Sequence, residues 1–333
     1  MIVSDPSAII FPDVFVRLQG VLNHANVILK LEGLSVTGSI KIKTARYMMD
    51  DLEERGLARP GHTTIVESSS GNLGVALSLV CQRRGYQFVC VTDPNSSRTA
   101  RAAMEAYGAD VVVVEKRDAN GGYLQSRIAH IQALIARDPS YVWLNQYANP
   151  ANQRTHYATT AREILGEIPD PGYVVIGAGS TGTLMGCAEF FRKASPRTKI
   201  VAAEPVGSVS FGGRPSKRLI PGVGTSRRPE LLDDAAVDRV LYVPESETIR
   251  MCHELSVGHG LLVGGSTGTV LSAVKMLEGT VPAGETVVAV SPDMGEKYLD
   301  TIYNKDWVLK NFGFDPWVDV RWRDSALSAV GKG

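Results

Sequence analysis

Runs of consecutive apolar residues, many of them β-branched, recur along the chain and alternate with segments of helical spacing. VILKL (27–31), TTIVE (63–67), FVCVTD (88–93), ADVVVVE (109–115), YVVIGAG (173–179), KIVAAEP (199–205), VDRVLYV (237–243) and TVVAVSPD (286–293) read as strands. Between them, 39–56, 98–107, 123–137, 156–165, 184–193, 246–257 and 269–278 read as helices. A strand that is apolar on both faces must be covered on both faces. That is the condition of a parallel sheet built from βαβ units. With 333 residues, 44% of them apolar, the pattern predicts an α/β protein of two domains. Each is a twisted, mostly parallel sheet flanked by helices. The tail from Trp317 carries no periodic pattern.

Composition removes several functions. Lys and Arg total 35 and Asp and Glu total 35, so no net field draws the chain to nucleic acid or to an acidic membrane. Cys81, Cys90, Cys187 and Cys252 are far apart, with no CxxC pair. They read as small buried hydrophobes, not as zinc ligands or a disulfide framework, and no metal site is expected. No apolar run approaches a membrane span, and MIVSDPSAIIF at the N-terminus lacks the charged region and cleavage pattern of a leader. A cytoplasmic protein is expected.

Three junctions put small polar residues or glycine between a strand end and a helix start: ESSSGNLG (67–74), GAGSTGT (177–183) and GGSTGT (264–269). Free backbone N–H groups at a helix N-terminus, with hydroxyls alongside, bind anions. In open α/β sheets such sites lie at the carboxyl ends of strands. GAGSTGT is the best phosphate cradle, with Gly179 and Gly182 allowing close approach and Ser180, Thr181 and Thr183 adding hydroxyls. It lacks the Gly-Lys-Ser/Thr ending of a Walker loop. It does match GxGxxG, with Glu204 as an acid at the next strand end, so a dinucleotide and another phosphate-bearing cofactor both stay open. Ser69, Ser70, Gly71 and Asn72 suit a small carboxylate, or form an ordinary helix cap. Ser266 in GGSTG stands where a hydroxyl could meet a ring nitrogen, or in a simple tight turn.

The stretch VILKLEGLSVTGSIKIKTAR (27–46) supplies the reactive group. Helical spacing from Ile40 through Ala45, Met48, Met49 and Leu52 starts a helix near Ser39, with Ser39 as its N-cap. Lys41 then falls in the first turn, where the helix end is already electropositive. A positive local field lowers a lysine pKa, as Schiff-base chemistry needs. The plainer reading makes Lys41 a solvated surface lysine like Lys43. A lysine, a phosphate cradle and a carboxylate cradle on one α/β scaffold describe a pyridoxal 5'-phosphate enzyme acting on an amino acid.

At these residues the chain resembles the cysteine synthase/cystathionine β-synthase family of fold type II pyridoxal phosphate enzymes, which are tryptophan synthase β-like. KLEGLSVTGSIK resembles its lysine segment, SSSGNLG its substrate-carboxylate loop, GAGSTGT its phosphate loop and GGSTGT the segment whose serine meets the pyridine nitrogen. SPDMGEKYLDTIY resembles its closing segment. The resemblance covers about 12–312 and implies Lys41 as the Schiff-base lysine. It implies Asn72, Gly179, Ser180, Thr181, Gly182, Thr183 and Ser266 as further cofactor contacts. It implies a small mobile substrate-binding domain (42–149), a large cofactor domain (1–41 plus 150–316) and a tail (317–333), in a homodimer acting on small amino acids.

FVCVTDPN, DANGGYLQSRIAH, WLNQYANPAN, VGSVSFGG and LIPGVGTSRRPELL resemble the N-(2-amino-2-carboxyethyl)-L-glutamate synthase branch, which serves 2,3-diaminopropionate formation for siderophores and peptide antibiotics. That likeness implies β-replacement on O-phospho-L-serine by L-glutamate. It makes Arg127, Gln146 and Tyr147 candidates for substrate binding and Arg227 the candidate for the leaving phosphate. A sulfide-using cysteine synthase is the alternative, and a nucleotide-dependent oxidoreductase the remote one.

Overall fold

The computed structural model describes residues 2–118 and 122–319. Among these, the apolar runs form two sheets. The larger has the order β1 (Phe15–Leu18), β2 (Asn26–Leu31), β10 (Thr286–Ser291), β7 (Tyr173–Gly177), β8 (Lys199–Pro205), β9 (Arg239–Val243). β1 is antiparallel to β2; every other neighbour is parallel. Ala289 of the inserted β10 lies opposite both Leu29 and Val175. The smaller sheet, β5 (Asp110–Val113), β4 (Gln87–Thr92), β3 (Thr64–Ser68), β6 (Tyr141–Trp143), is wholly parallel.

Alternate residues of each strand enter opposite cores, as the two-residue period requires. Val27, Leu29, Val287 and Ala289 pack on α8 (Glu245–His259) and α9 (Gly265–Lys275) through Ile249, Leu255, Val270 and Val274. Val174, Ile176, Val288 and Val290 meet Ile164 of α6 (Thr160–Glu167) and Leu184, Cys187 and Phe191 of α7 (Gly182–Ala194) on the other side. In the smaller sheet Ile65 and Cys90 face α1 (Lys41–Glu54), α2 (Asn72–Arg84) and Met104 of α3 (Arg98–Ala106), while Val66, Val89 and Val91 face Ile131 of α4 (Leu124–Arg137). Each Val, Leu, Ile or Phe among these side chains contributes about 1.5–3 kcal/mol on burial. All four cysteines are buried and free, as the spacing predicts.

Several expectations need correction. Ile40, not Ser39, stands at the N-cap of α1, with no side-chain cap, because Ser39 is held in an antiparallel bridge to Asp293. Lys43 is no surface lysine; it is buried between Glu32 and Glu163. The single helix expected over 156–165 is instead two helices, the first starting six residues earlier, at Pro150. The Asn149 side chain accepts from the Ala151 N–H, Pro150 opens α5 (Pro150–Ala158), and a break at Thr159 separates it from α6. The glycine turn at 264–268 is helical from Gly265, with Gly264 as N-cap. A helix not anticipated, α10 (Lys305–Phe312), follows the closing segment. At the start of the tail, Pro316–Asp319 forms α11; the rest of the tail lies outside the described residues.

Candidate active site

The chain leaving β2 turns back across the end of β10. Glu32 N–H donates to the Ser291 carbonyl at 2.9 Å and Ile40 N–H to the Pro292 carbonyl at 2.8 Å. These bonds fix Lys41 as the first residue of α1, beside Asp293. The Lys41 pKa is lowered to about 8, by burial, against an opposing pull from the Asp293 carboxylate. The sequence reading has the right direction for this lysine; burial is the main cause.

Asp293 is 1% exposed and gathers three donors. Asn72 Nδ2 donates to it at 2.8 Å, Ser266 Oγ at 3.2 Å and the Tyr298 hydroxyl at 2.5 Å. The Asn72 carboxamide is held at its other end by Lys297 Nζ, 2.7 Å from Oδ1. Lys297 also donates to the Thr37 and Gly38 carbonyls, at 2.8 and 3.2 Å. Gly264 is required here, since a Cβ would lie 2.0 Å from Asp293 Oδ1. Lys41, Asn72 and Ser266 are thus brought together around Asp293.

The loop after β7 comes to the same place. Ala178 is tied on both sides, donating to the Ala203 carbonyl and accepting from Gly224 N–H. Past it, the N–H groups of Gly179, Ser180 and Thr181 have no acceptor among the described residues, and Thr181 takes a left-handed φ of 66° before α7 begins. A Cβ on Gly179 would lie 3.6 Å from the Gly222 carbonyl, and one on Gly222 3.8 Å from Ser266. A Cβ on Gly182 would strike Asn152 at 2.2 Å, which explains that glycine. Asn152 Nδ2 donates to Ser180 Oγ at 3.1 Å, and Thr183 Oγ1 lies 3.2 Å from His156 Nε2. Orphaned amides at a helix start, edged by hydroxyls, fit a phosphate dianion. A partly deprotonated lysine beside them fits an aldehyde. The donor set therefore suits pyridoxal phosphate, with Lys41, Asn72, Ser266 and 179–183 as the residues to hold it.

At the end of β3, Ser69 Oγ accepts from the N–H groups of Gly71 and Gly74, at 3.3 and 3.0 Å. Ser69 thus caps α2, while Ser70, Gly71 and Asn72 stay partly open. Gln146 Nε2 donates to the Ser68 carbonyl at 3.1 Å, and the Gln146 carbonyl accepts from Asn152 Nδ2 at 2.8 Å. Gln146 therefore joins this loop to the loop after β7. Beneath it Glu67 is fully buried, and burial pushes its pKa up to about 7. Arg127 is 8% exposed; its Nη1 forms an ion pair with Asp93 Oδ2 at 3.3 Å without hydrogen-bond geometry, and its Nε lacks an acceptor. The Arg227 guanidinium stands over the Tyr147 ring, 5.8 Å from its centroid, and pairs with Glu230. Burial raises the Tyr147 phenol pKa, while the charges of Arg127, Arg227 and Arg218 pull the other way.

A family model described as pyridoxal-phosphate dependent enzyme matches residues 11–293. The chain belongs to that family. This pyridoxal-phosphate-dependent enzyme is similar to an O-ureido-L-serine-bound variant of O-ureido-L-serine synthase, at 29% identity over all of both chains, with a TM-score of 0.85. A second structure of O-ureido-L-serine synthase is 30% identical over 94% of this chain and 96% of that one, with a TM-score of 0.83. The O-acetylserine dependent cystathionine beta-synthase from Helicobacter pylori is 27% identical over 91% and 100%, with a TM-score of 0.84. The chain has the fold type II architecture of two mostly parallel sheets flanked by helices.

The family assignment overturns the oxidoreductase reading. The structure explains why GAGSTG misled: Glu204 is fully buried and accepts from Ser208 Oγ at 2.7 Å, so it presents no carboxylate to a ribose. Sequence reasoning missed Asp293, Lys297 and Tyr298 as parts of the site, and Asn152 and His156 behind the loop. The signal for the first three was SPDMGEKY directly after an apolar strand. For the other two it was their four-residue spacing, one turn apart on a helix that the sequence reading begins too late.

Proposed function

We propose that this enzyme replaces the β-substituent of O-phospho-L-serine with L-glutamate, giving N-(2-amino-2-carboxyethyl)-L-glutamate and phosphate for a 2,3-diaminopropionate pathway. The observation that carries the reading is the Arg227 guanidinium over the Tyr147 ring, 5.8 Å from its centroid, with the buried Arg127, whose Nε lacks an acceptor, and Arg218 also acting on that phenol. Sulfide needs no guanidinium; a phosphate and a dicarboxylate acid do. When bound, pyridoxal phosphate supplies the electron sink that makes the α-proton acidic and the β-substituent a leaving group. Lys41 Nζ takes the α-proton. Ser69, Ser70, Gly71 and Asn72 hold the substrate carboxylate at the start of α2. Arg227 receives the phosphate as the Cβ–O bond breaks and oxygen takes the electron pair. Arg127, Gln146 and Tyr147 orient glutamate, whose free amine forms the new Cβ–N bond; the amine's proton ends on the departing phosphate, and Lys41 Nζ returns the α-proton to Cα. Ser266 offers a neutral hydroxyl to the ring nitrogen.

In this reading 42–149, which contains all of the smaller sheet, closes over the site as the mobile substrate-binding body, against 1–41 plus 150–316. We read the working form as a cytoplasmic homodimer. A second reading, a cysteine synthase taking sulfide, keeps the same site and changes the nucleophile; the 27% identical structure described as O-acetylserine dependent bears only on the leaving group. The purified holoenzyme, given O-phosphoserine or O-acetylserine with glutamate or sulfide, decides by product mass. The glutamate adduct from O-phosphoserine is expected to dominate. Cysteine as the main product, with no glutamate adduct, would sink the proposal.

A further inference from the structure

A hydrogen-bonded chain runs from a buried ionic cluster to the phosphate loop. Its end is the Glu32 carboxylate, within 4 Å of the Lys30 and Lys43 ammonium groups. Lys43 Nζ also lies 2.6 Å from Glu163 Oε2, and Lys30 Nζ 2.8 Å from it. A carboxylate between two ammonium groups offers lone pairs only. Thr160 Oγ1 stands 2.9 Å from Glu32 Oε1, so the single hydroxyl hydrogen of Thr160 goes to Glu32. His156 Nδ1 is 3.1 Å from the same Thr160 oxygen. With its hydrogen spent, that oxygen can only accept, so Nδ1 carries the proton of the ring.

This fixes the tautomer, and Nε2 is left with one lone pair. Two hydroxyls face it: Thr44 Oγ1 at 3.1 Å and Thr183 Oγ1 at 3.2 Å. Thr44 belongs to α1, one turn after Lys41, and is 1% exposed. Its only other acceptor among the described residues is Asn152 Oδ1, at the outer limit of 3.5 Å. Thr183 is the second residue of α7, beside the unpaired amides of 179–181. One lone pair cannot take both hydrogens. If Thr183 turns its hydrogen to a bound anion, Thr44 keeps Nε2 paired, and no buried acceptor is orphaned. Burial, with the charges of Lys41 and Lys43, keeps the imidazole pKa well below its ordinary value, so the ring stays neutral and Nε2 stays an acceptor.

We infer that His156 is a positioning residue for cofactor phosphate binding: Nε2 keeps the Thr183 hydroxyl in place beside the loop until the anion arrives, then accepts from Thr44 instead and so releases the Thr183 hydrogen to the anion. The inference rests on the assignment of 179–183 to the cofactor phosphate, and the test separates the two. The holoenzyme and its variants are compared by the ³¹P resonance of bound pyridoxal phosphate and by the cofactor dissociation constant. Thr183→Val is expected to move the resonance and weaken binding about tenfold, the loss of one hydrogen bond to a charged group. His156→Ala is expected to move the resonance in the same sense and weaken binding about fivefold. That loss should largely vanish in the Thr183→Val background. His156→Gln, whose amide oxygen can accept near the position of Nε2, should recover part of it. Thr44→Val, which removes the alternative donor, should also weaken binding. Should Thr183→Val move both readouts while His156→Ala, His156→Gln and Thr44→Val move neither, His156 is only a core residue and the inference fails. Should Thr183→Val itself move neither, the loop assignment fails and takes the inference with it.

Discussion

Lys41 and Lys43 lie two residues apart and titrate in opposite senses. Burial works against the charge of both. At Lys43 the Glu32 and Glu163 carboxylates outweigh it and raise the pKa. At Lys41 only Asp293 opposes burial, and the value falls from 10.5 to about 8. Lys43 is a structural cation; Lys41 is a nucleophile that is part free near neutral pH. In the cofactor-free protein, competitive acetylation of Lys41 followed by mass spectrometry should give a midpoint near pH 8. Asp293→Asn should lower that midpoint, because the carboxylate holds the proton on. The sign for stability follows by linkage. Between about 8 and 10.5 the unfolded chain keeps this proton and the folded chain has lost it, so Lys41 makes stability rise with pH across that window. A midpoint near 10.5 would mean that the amine is solvated.

Among the elements, α5 shows what a sequence can hide. Asn and Pro are loop residues, and they are also a helix N-cap and first-turn residue. Read along the chain, WLNQYANPAN favours a loop; only the bonds of Asn149 decide otherwise. Its Oδ1 accepts from Ala151 N–H at 2.9 Å and its Nδ2 donates to the Leu144 carbonyl at 3.0 Å. Asn149→Ala is expected to cost about 1 kcal/mol in denaturant unfolding. An unchanged midpoint would mean that Pro150 alone sets the start of α5. The strand ends were legible because an apolar run that stops at small polar residues exposes amides at one edge of a sheet, wherever the sheet lies. Lys41, Asn72, Ser266 and the loop after β7 could be found that way. The ionic cluster could not, because Lys43 and Glu163 are 120 residues apart and neither carries a local sign of the other. Glu204 was misread for the converse reason: its position at a strand end was visible, and the Ser208 hydroxyl that consumes it was not.

At the scale of the whole molecule, a set of polar contacts at Asn72 links the two sheets across the site. Asn72 starts α2, which packs on the smaller sheet, while Asp293 and Lys297 follow β10 of the larger one. Both bond the same carboxamide, at 2.8 and 2.7 Å. Lys297 in addition holds the carbonyls of Thr37 and Gly38, in the turn that presents Lys41. One ammonium group thus ties the lysine turn, the closing segment and the start of α2 together. Burial lowers its pKa while Asp293 and Glu296 pull the other way, so the charge is held there by its partners. Lys297→Met keeps the bulk of the stem and removes these three bonds. Hydrogen exchange should then quicken at 37–39 and 69–74, and stay unchanged in β2 and β10, whose pairing lies inside the larger sheet. Faster exchange spread through β2 and β10 would show that Lys297 supports the larger core. No change in either region would show that contacts other than those of Lys297 hold the two sheets together.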